Sequence, residues 1–197
     1  MRGSPPTAPP TRLARWVSVV AHPFVTTLVL AASVELERGA AAAARTTAVV
    51  GALFVLPLGL LTALQVRRGR WSTVDASHPR ERPILFAVGA AGLLAVLLYL
   101  ARTAPGTPLV PGGAAVLAMV GLCAAVTPWV KVSLHMAAAA LAAAALLGRG
   151  LPAGWPLAAV LPVLGWSRVA LGRHRWAEVA GGLLIGALTG LVVTRVM

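Results

Sequence analysis

The sequence predicts an all-α membrane protein, a polytopic transmembrane bundle of about seven apolar helices that make six to seven spans. Of the 197 residues, 58% are hydrophobic and 11% are charged, and the mean hydropathy is +0.85. Such values are typical of polytopic membrane proteins and exclude a soluble globular domain. The helix count follows from seven apolar runs. They are residues 16–34, 46–65, 83–101, 113–130, 132–148, 151–167 and 175–194.

A single domain accounts for nearly the whole chain. The first residues are rich in Pro, Ser and Thr, which predicts a disordered tail over residues 1–15. Residues 16–197 follow as one transmembrane domain, because the length leaves no room for a separate soluble one. Pro23 lies inside the first run and predicts a kink or local break there. His22 precedes it and is interpreted as a packed or hydrogen-bonded residue.

The last apolar run carries glycines at a spacing of four residues. Gly182, Gly186 and Gly190 form a repeated G-x-x-x-G pattern. Small residues at this spacing let two helix backbones approach closely. The pattern predicts a tight helix–helix contact, with homo-oligomerisation through these glycines as the second possibility.

The charge pattern narrows the class of partner. The net charge is +12, from sixteen Arg and one Lys against five acidic residues. The basic residues lie between apolar runs, so anionic lipid headgroups are the expected partners and nucleic acid is not. Hard cations need oxygen ligands, and so few carboxylates predict neither a catalytic metal nor a cofactor.

Seven spans place alternate loops on opposite sides of the membrane. We call the side of the N-terminus face A and the other side face B. Three polar segments, residues 75–83, 131–135 and 167–178, fall on face A, each at or just before the start of a helix. Helix N-termini carry partial positive charge and free N–H groups, which favour anions, phosphate above all.

These segments contain the candidate site. His174 and Glu178 are four residues apart and share one helix face. A carboxylate so placed holds an imidazole in one tautomer and activates it as a nucleophile or base. His135 offers a second acid–base group. Ser133 is a suitable N-cap for the helix that follows it. The cations proposed to bind the anion are Arg82, Lys131 and Arg168.

The third polar segment resembles a known signature. Ser167-Arg168-x5-His174-x3-Glu178 is similar to Ser-Arg-x5-His-x3-Asp of the type 2 phosphatidic acid phosphatase superfamily. Glu178 stands where that signature has aspartate. The resemblance implies an intramembrane helical bundle that hydrolyses phosphoesters without a metal.

The other two polar segments resemble the remaining signatures, in the same order along the chain. Lys-Val-Ser-Leu-His at residues 131–135 is similar to Pro-Ser-Gly-His, with Leu134 in place of glycine. Asp75-x6-Arg82-Pro83 is similar to Lys-x6-Arg-Pro, with Asp75 in place of lysine. We expect the Asp75 carboxylate to pair within its own loop, with Arg68, Arg70 or Arg80.

The resemblance also assigns roles. It implies that His174 attacks phosphorus, that Glu178 orients and charges it, and that His135 protonates the leaving oxygen. The residues implied to bind the phosphate oxygens are Arg82, Ser133 and Arg168. We add Lys131, the only lysine, as a replacement for the lysine that the first signature lacks. The alternative for Lys131 is a side chain that extends to lipid headgroups.

The expected function is hydrolysis of a lipid phosphate, with a prenyl-linked sugar phosphate, a polyprenyl phosphate or diphosphate, or phosphatidate as substrate. A first alternative is a non-catalytic lipid-binding or scaffold protein of the same fold. A second is an intramembrane prenyltransferase. Prenyltransferases hold magnesium diphosphate with two aspartate-rich motifs, and Asp75 is the only aspartate of this chain.

The distribution of basic residues predicts the orientation. Face A receives twelve of the 17 Lys and Arg residues and face B the remaining five. Loops rich in Lys and Arg stay on the cytoplasmic side. We therefore expect an integral protein of a bacterial cytoplasmic membrane, with a cytoplasmic N-terminus and the active site facing the cytoplasm.

Overall fold

The computed structural model describes residues 12–76 and 78–197, and this part of the chain contains helices and no strand. The predicted all-α class and the seven apolar helical segments are confirmed, because α1 with α2, and α3 with α4, each form one segment. The α-helices are α1 (Arg12–Val20), α2 (Pro23–Leu36), α3 (Ala40–Val50), α4 (Leu56–Arg67), α5 (Arg82–Thr103), α6 (Leu109–Val126), α7 (Leu134–Gly148), α8 (Gly154–Ala170) and α9 (Trp176–Val196).

Five of these segments are long and apolar enough to cross a membrane. They are Arg12–Leu36, Ala40–Arg67, Pro79–Thr103, Leu109–Val126 and Trp176–Val196. With 15 and 17 residues, α7 and α8 are shorter than the roughly 20 residues that cover the hydrocarbon core. Helix α7 is also the most buried, so surrounding helices rather than lipid cover most of its surface.

The predicted tail overlaps the first helix. Residues 1–11 lie outside the described residues, and α1 begins at Arg12. Residues 12–15 of the expected tail are therefore helical.

The first apolar segment is broken at the proline, as the sequence predicted. Helix α1 ends at Val20, and α2 begins at Pro23. His22 Nδ1 accepts a hydrogen bond from the backbone N–H of Phe24 at 3.2 Å, which caps α2. Because proline has no N–H to donate, it fits the first helical position. This break positions His22 at the face A end of the bundle.

The core is built around α7. Its alanines pack against α9, α8 and α2, and most of its residues are buried. Short side chains allow the neighbouring backbones to approach, which suits a helix surrounded by other helices. The N-terminus of α7 thereby lies between α9 and α2, where three polar segments can reach it.

The glycine stripe of α9 faces α7. A Cβ added at Gly182 would lie 2.5 Å from Ser133 O, and one added at Gly186 would contact Ala137 O. Gly190 is equally close to the Leu141 carbonyl, at 2.7 Å. The stripe therefore makes a contact within the chain, the first of the two predicted uses. The three glycines are buried against α7, and homo-oligomerisation through them stays a prediction.

Candidate functional site

The second and third polar segments are joined at the start of α7. Ser133 N–H donates to the backbone carbonyl of Glu178 at 3.1 Å. Lys131 Nζ donates to the backbone carbonyl of Arg173 at 2.7 Å. The close approach of α9 at Gly182 permits both contacts, since any larger residue there would meet the Ser133 carbonyl.

The first polar segment joins the other two through two buried arginines. Arg82 Nη1 donates to the backbone carbonyl of Val132 at 2.8 Å. Arg168 Nη2 donates to Asp75 Oδ2 at 2.9 Å, and its side chain is only 1% exposed. The structure therefore brings all the proposed site residues together at face A. Arg82 begins α5, with Pro83 immediately after it in the first turn.

His174 is held by a carboxylate. Its Nδ1 lies 2.7 Å from Glu178 Oε2, and Glu178 Oε2 also accepts from the Arg175 N–H at 3.4 Å. The His174 N–H donates to the Arg168 carbonyl at 3.2 Å, which fixes the loop before α9. With Nδ1 occupied by Glu178, Nε2 is the nitrogen able to attack a substrate.

The charges around His174 favour its neutral form. Burial is the main cause that lowers the pKa of His174 from 6.5 to about 4, and Arg168, Arg82 and Lys131 add to this effect. The hydrogen bond with Glu178 acts in the opposite direction. A neutral imidazole retains the lone pair that a nucleophile needs. Burial also lowers the pKa of Lys131, and Glu178 opposes that shift.

Three buried polar atoms of the site have no hydrogen-bond partner among the residues that the structure describes. They are Ser133 Oγ, His135 Nε2 and Arg168 Nε. Ser133 occupies the N-cap position of α7 as expected, but its hydroxyl makes no capping bond. Buried polar atoms are nearly always paired in folded proteins, so a set of orphaned atoms that can donate indicates an anion as ligand.

The expected partner of Asp75 was wrong. The sequence predicted a pair with Arg68, Arg70 or Arg80, whereas the carboxylate pairs with Arg168 and lies 4.0 Å from His135 Nε2. The cause is the fold of the loop before α5. Glu81 accepts hydrogen bonds from the backbone N–H groups of Ser72 and His78, which closes the loop over the site. Asp75 therefore points inward.

Two residues at the α1–α2 break complete the site, and the sequence analysis missed their part in it. Ser18 Oγ accepts a hydrogen bond from Arg168 Nη1 at 2.5 Å. The ring of His22 packs edge-on against that of His135, with 4.8 Å between ring centres. The sequence predicted the break at Pro23. It gave no sign of the site there, because neither Ser18 nor His22 belongs to one of the three polar segments.

One group of side chains has the composition of a metal site. His22, Asp75 and His135 each offer a ligand atom, and these atoms lie within 4.8 Å of one another. Two imidazoles and one carboxylate suit a transition metal. However, the other oxygen of Asp75 is bound to Arg168, whose positive charge opposes a cation beside it. A cation at this group would therefore have to share the Asp75 carboxylate with Arg168.

Comparison of the chain with family models, with curated proteins and with solved structures gives no match. The site therefore has to be interpreted from its own geometry.

Proposed function

We propose that this chain is a membrane-embedded lipid-phosphate phosphatase that acts through a phosphohistidine and needs no metal. The observation that carries the proposal is the group of orphaned, buried atoms of Ser133, His135 and Arg168 beside the carboxylate-held imidazole of His174. A phosphate can accept from these donors, and it has the phosphorus that such a nucleophile attacks. The resemblance to the type 2 phosphatidic acid phosphatase superfamily supports the same assignment.

The proposed reaction has two steps. His174 Nε2 attacks phosphorus, the bond between phosphorus and the lipid oxygen breaks, and His135 gives that oxygen a proton. Water then attacks the phosphohistidine and gives a proton to His135, the N–P bond breaks, and inorganic phosphate leaves with both histidines restored. Glu178 stabilises the positive charge that His174 gains when it bonds to phosphorus, as carboxylates do in other histidine-based sites.

The phosphate oxygens are assigned to four side chains. Arg168 Nε and Ser133 Oγ can bind an oxygen without giving up any existing hydrogen bond. Arg82 and Lys131 add positive charge, and both act on His174 from nearby. Preorganised donors aimed at developing charge are typically the largest catalytic contribution, about 10²–10³ in rate for each donor.

The proposed substrate is a lipid intermediate on the cytoplasmic side, such as a prenyl-linked sugar phosphate. This placement rests on the excess of Lys and Arg at face A. Single cysteines at positions 72 and 149, in a Cys123→Ala background, test it with an impermeant thiol reagent on intact cells. We expect position 149 to be labelled and position 72 to be protected. The reverse pattern would place the active site on the outer side.

Release of inorganic phosphate by the purified protein tests the proposal. The assay uses prenyl-linked sugar phosphate, polyprenyl phosphate and diphosphate, and phosphatidate, each with and without a chelator. We expect release from at least one of them, unchanged by the chelator, because the described site has too few carboxylates for a hard metal. Complete loss with the chelator, restored only by magnesium, would exclude the proposed mechanism.

A second candidate is a non-catalytic lipid-binding protein with the same fold. It is favoured by the contacts that the proposed phosphate ligands already make within the protein. Arg168 binds Asp75, Arg82 binds the Val132 carbonyl, and Lys131 binds the Arg173 carbonyl. This candidate predicts lipid-phosphate binding without phosphate release, which the same assay distinguishes when it is combined with a binding measurement.

A further inference from the structure

A long cavity runs through the bundle below the site. It lies between α2, α3, α4, α5, α6, α7 and α9, and its walls extend on α5 from Leu85 near face A to Leu100 near face B. At 1.5 Å per residue, this stretch of α5 is about 22 Å long. The cavity therefore covers most of the thickness of a hydrocarbon core, which is about 30 Å.

The lining changes from polar to apolar along the cavity. Its polar side chains, which carry imidazole, hydroxyl or carboxylate groups, all lie in the half near face A. They come from the start of α2, the end of α4, the loop before α5 and the first turn of α7. They are His22, Thr26, Thr27, Thr62, Asp75 and His135. The half near face B is lined by aliphatic residues such as Leu97, Val116 and Val193. This gradient matches a molecule with a polar head and an apolar tail.

His135 belongs to both the anion site and the cavity. It is one of the three residues with an orphaned atom, and it lines the polar end of the cavity. His174, Ser133 and Arg168 do not line it. In the proposed reaction, His135 protonates the oxygen that links phosphate to lipid. A lipid tail attached to that oxygen would therefore enter the cavity directly.

The cavity is narrow. The centre of a water molecule can move through a volume of about 210 Å³. Averaged over the length of the cavity, that volume corresponds to a mean section of about 10 Å² for the water centre, equal to that of a tube roughly 3 Å in radius. One hydrocarbon chain fits such a tube, and two side by side do not.

We infer that the cavity binds the single apolar tail of the substrate, so that the enzyme prefers phosphates of one-tailed lipids to two-tailed phosphatidate. This inference rests on the proposed function. The far end sets a limit to tail length. There, Met197 lies against Gly112, where an added Cβ would be 2.6 Å from Met197 Sδ. Longer tails must displace this side chain.

Gly89 provides a variant that blocks the cavity about a quarter of the way along α5 from its face A end, about 6 Å beyond Leu85. It lines the cavity, and an added Cβ would make ordinary contacts of 3.8 Å with Leu58, so alanine fits and leucine extends into the open space. Gly121→Leu is the matched control, because Gly121 is exposed on α6, with nothing within 4 Å of an added Cβ. If Gly89→Leu does not fold, Val116→Phe is used as the blocking variant instead, because Val116 on α6 also lines the cavity.

The first test compares kcat/KM for butyl phosphate and hexadecyl phosphate. Each methylene that enters apolar surroundings contributes about fourfold. We expect Gly89→Leu or Val116→Phe to lower the rate with hexadecyl phosphate by roughly 100-fold, since several methylenes are excluded. The rate with butyl phosphate should stay within about twofold, and Gly121→Leu should behave as wild type. Equal losses for both esters would overturn the inference.

The second test does not depend on turnover. A hexadecyl phosphate with a photoreactive diazirine midway along its tail is cross-linked to the protein, and the labelled peptides are identified by mass spectrometry. We expect label on the cavity walls of α5 and α6 in wild type and Gly121→Leu, and its loss in Gly89→Leu. Label confined to lipid-exposed surfaces would overturn the inference. Cavity labelling without any phosphate release would support the tail site and reject the proposed phosphatase.

Discussion

The two ends of the bundle both bury charged side chains, but they satisfy them differently. At face B, Glu35 is fully buried, accepts a hydrogen bond from Thr107 and pairs with Arg38 at 3.5 Å. Glu37 pairs with Arg149 nearby. Two acids therefore face two arginines. At face A, by contrast, four buried or half-buried cations face three carboxylates, and positive charge is in excess. The cations are Arg82, Lys131, Arg168 and Arg173, and the carboxylates are Asp75, Glu81 and Glu178.

The buried polar atoms that lack a hydrogen-bond partner also differ between the two ends of the bundle. Among the described residues, Glu35 Oε2, Arg149 Nε and the hydroxyls of Thr46 and Thr47 on α3 have no hydrogen-bond partner in the half near face B, so this end leaves an acceptor as well as donors. The orphaned atoms of the site can all donate. An end with balanced charge needs no ligand to neutralise it, whereas an end with surplus positive charge and orphaned donors is suited to an anion. Face A is therefore the end that suits the proposed chemistry, and the ion pairs of face B suit a structural role.

The largest effect should come from the nucleophile. We expect His174→Ala to lower kcat by about four orders of magnitude or more, as removal of a nucleophile does, while thermal unfolding in detergent stays unchanged. His78→Ala is the matched control, because His78 is exposed on the same face. Hydrolysis by His174→Ala at the wild-type rate would remove the catalytic distinction between the two ends.

The second largest loss of activity should come from His135→Ala, and its size should depend on the leaving group of the substrate. We expect His135→Ala to slow alkyl phosphates by about 10²–10⁴, the usual contribution of a general acid. Aryl phosphates should be slowed much less, because a good leaving group needs little protonation. Parallel measurement of kcat on both esters checks this. Equal losses on the two esters would show that His135 binds phosphate rather than donating a proton.

Lys131 should have an intermediate effect. We expect Lys131→Met to cost about 2–4 kcal/mol of transition-state stabilisation, the loss typical of one preorganised donor. Lys131→Arg should rescue only part of kcat/KM, because the planar fork needs a different geometry. Arg70→Met, which removes an exposed cation of the same face, is the control. If Lys131→Met is as active as wild type, the side chain serves structure or lipid headgroups instead.

The smallest effect on activity should come from face B. We expect Glu35→Gln to leave kcat/KM within about twofold and to lower the free energy of unfolding by about 1 kcal/mol, since the pair with half-exposed Arg38 is lost. Such a change corresponds to a melting-temperature decrease of about 2–4 °C for a chain of this size. A large fall in activity without a fall in stability would contradict the structural assignment of face B.

The helical segments and the close contacts between residues a few positions apart were predictable from the sequence, because they follow from short-range periodicity. Apolar runs set the seven helical segments, since a buried backbone must satisfy its hydrogen bonds within a helix. The four-residue spacing of His174 and Glu178 predicted that their side chains meet, and His174 Nδ1 lies 2.7 Å from Glu178 Oε2. His174 itself lies in the loop before α9, which begins at Trp176, so the two residues do not share a helix face as predicted. The spacing of the α9 glycines likewise predicted a close contact, and the alternation of spans brought three polar segments to one face.

Contacts between residues far apart in the sequence were decided only by the tertiary structure. Asp75 could reach several arginines of its own loop, and only the closure of that loop by Glu81 turned it to Arg168. Ser18 and His22 entered the site because the break at Pro23 places them beside α7 and α8, more than a hundred residues away in the chain. The cavity proposed for the tail is lined by seven helices at once. No local pattern records how those helices pack, because packing depends on side chains that meet only in the folded chain.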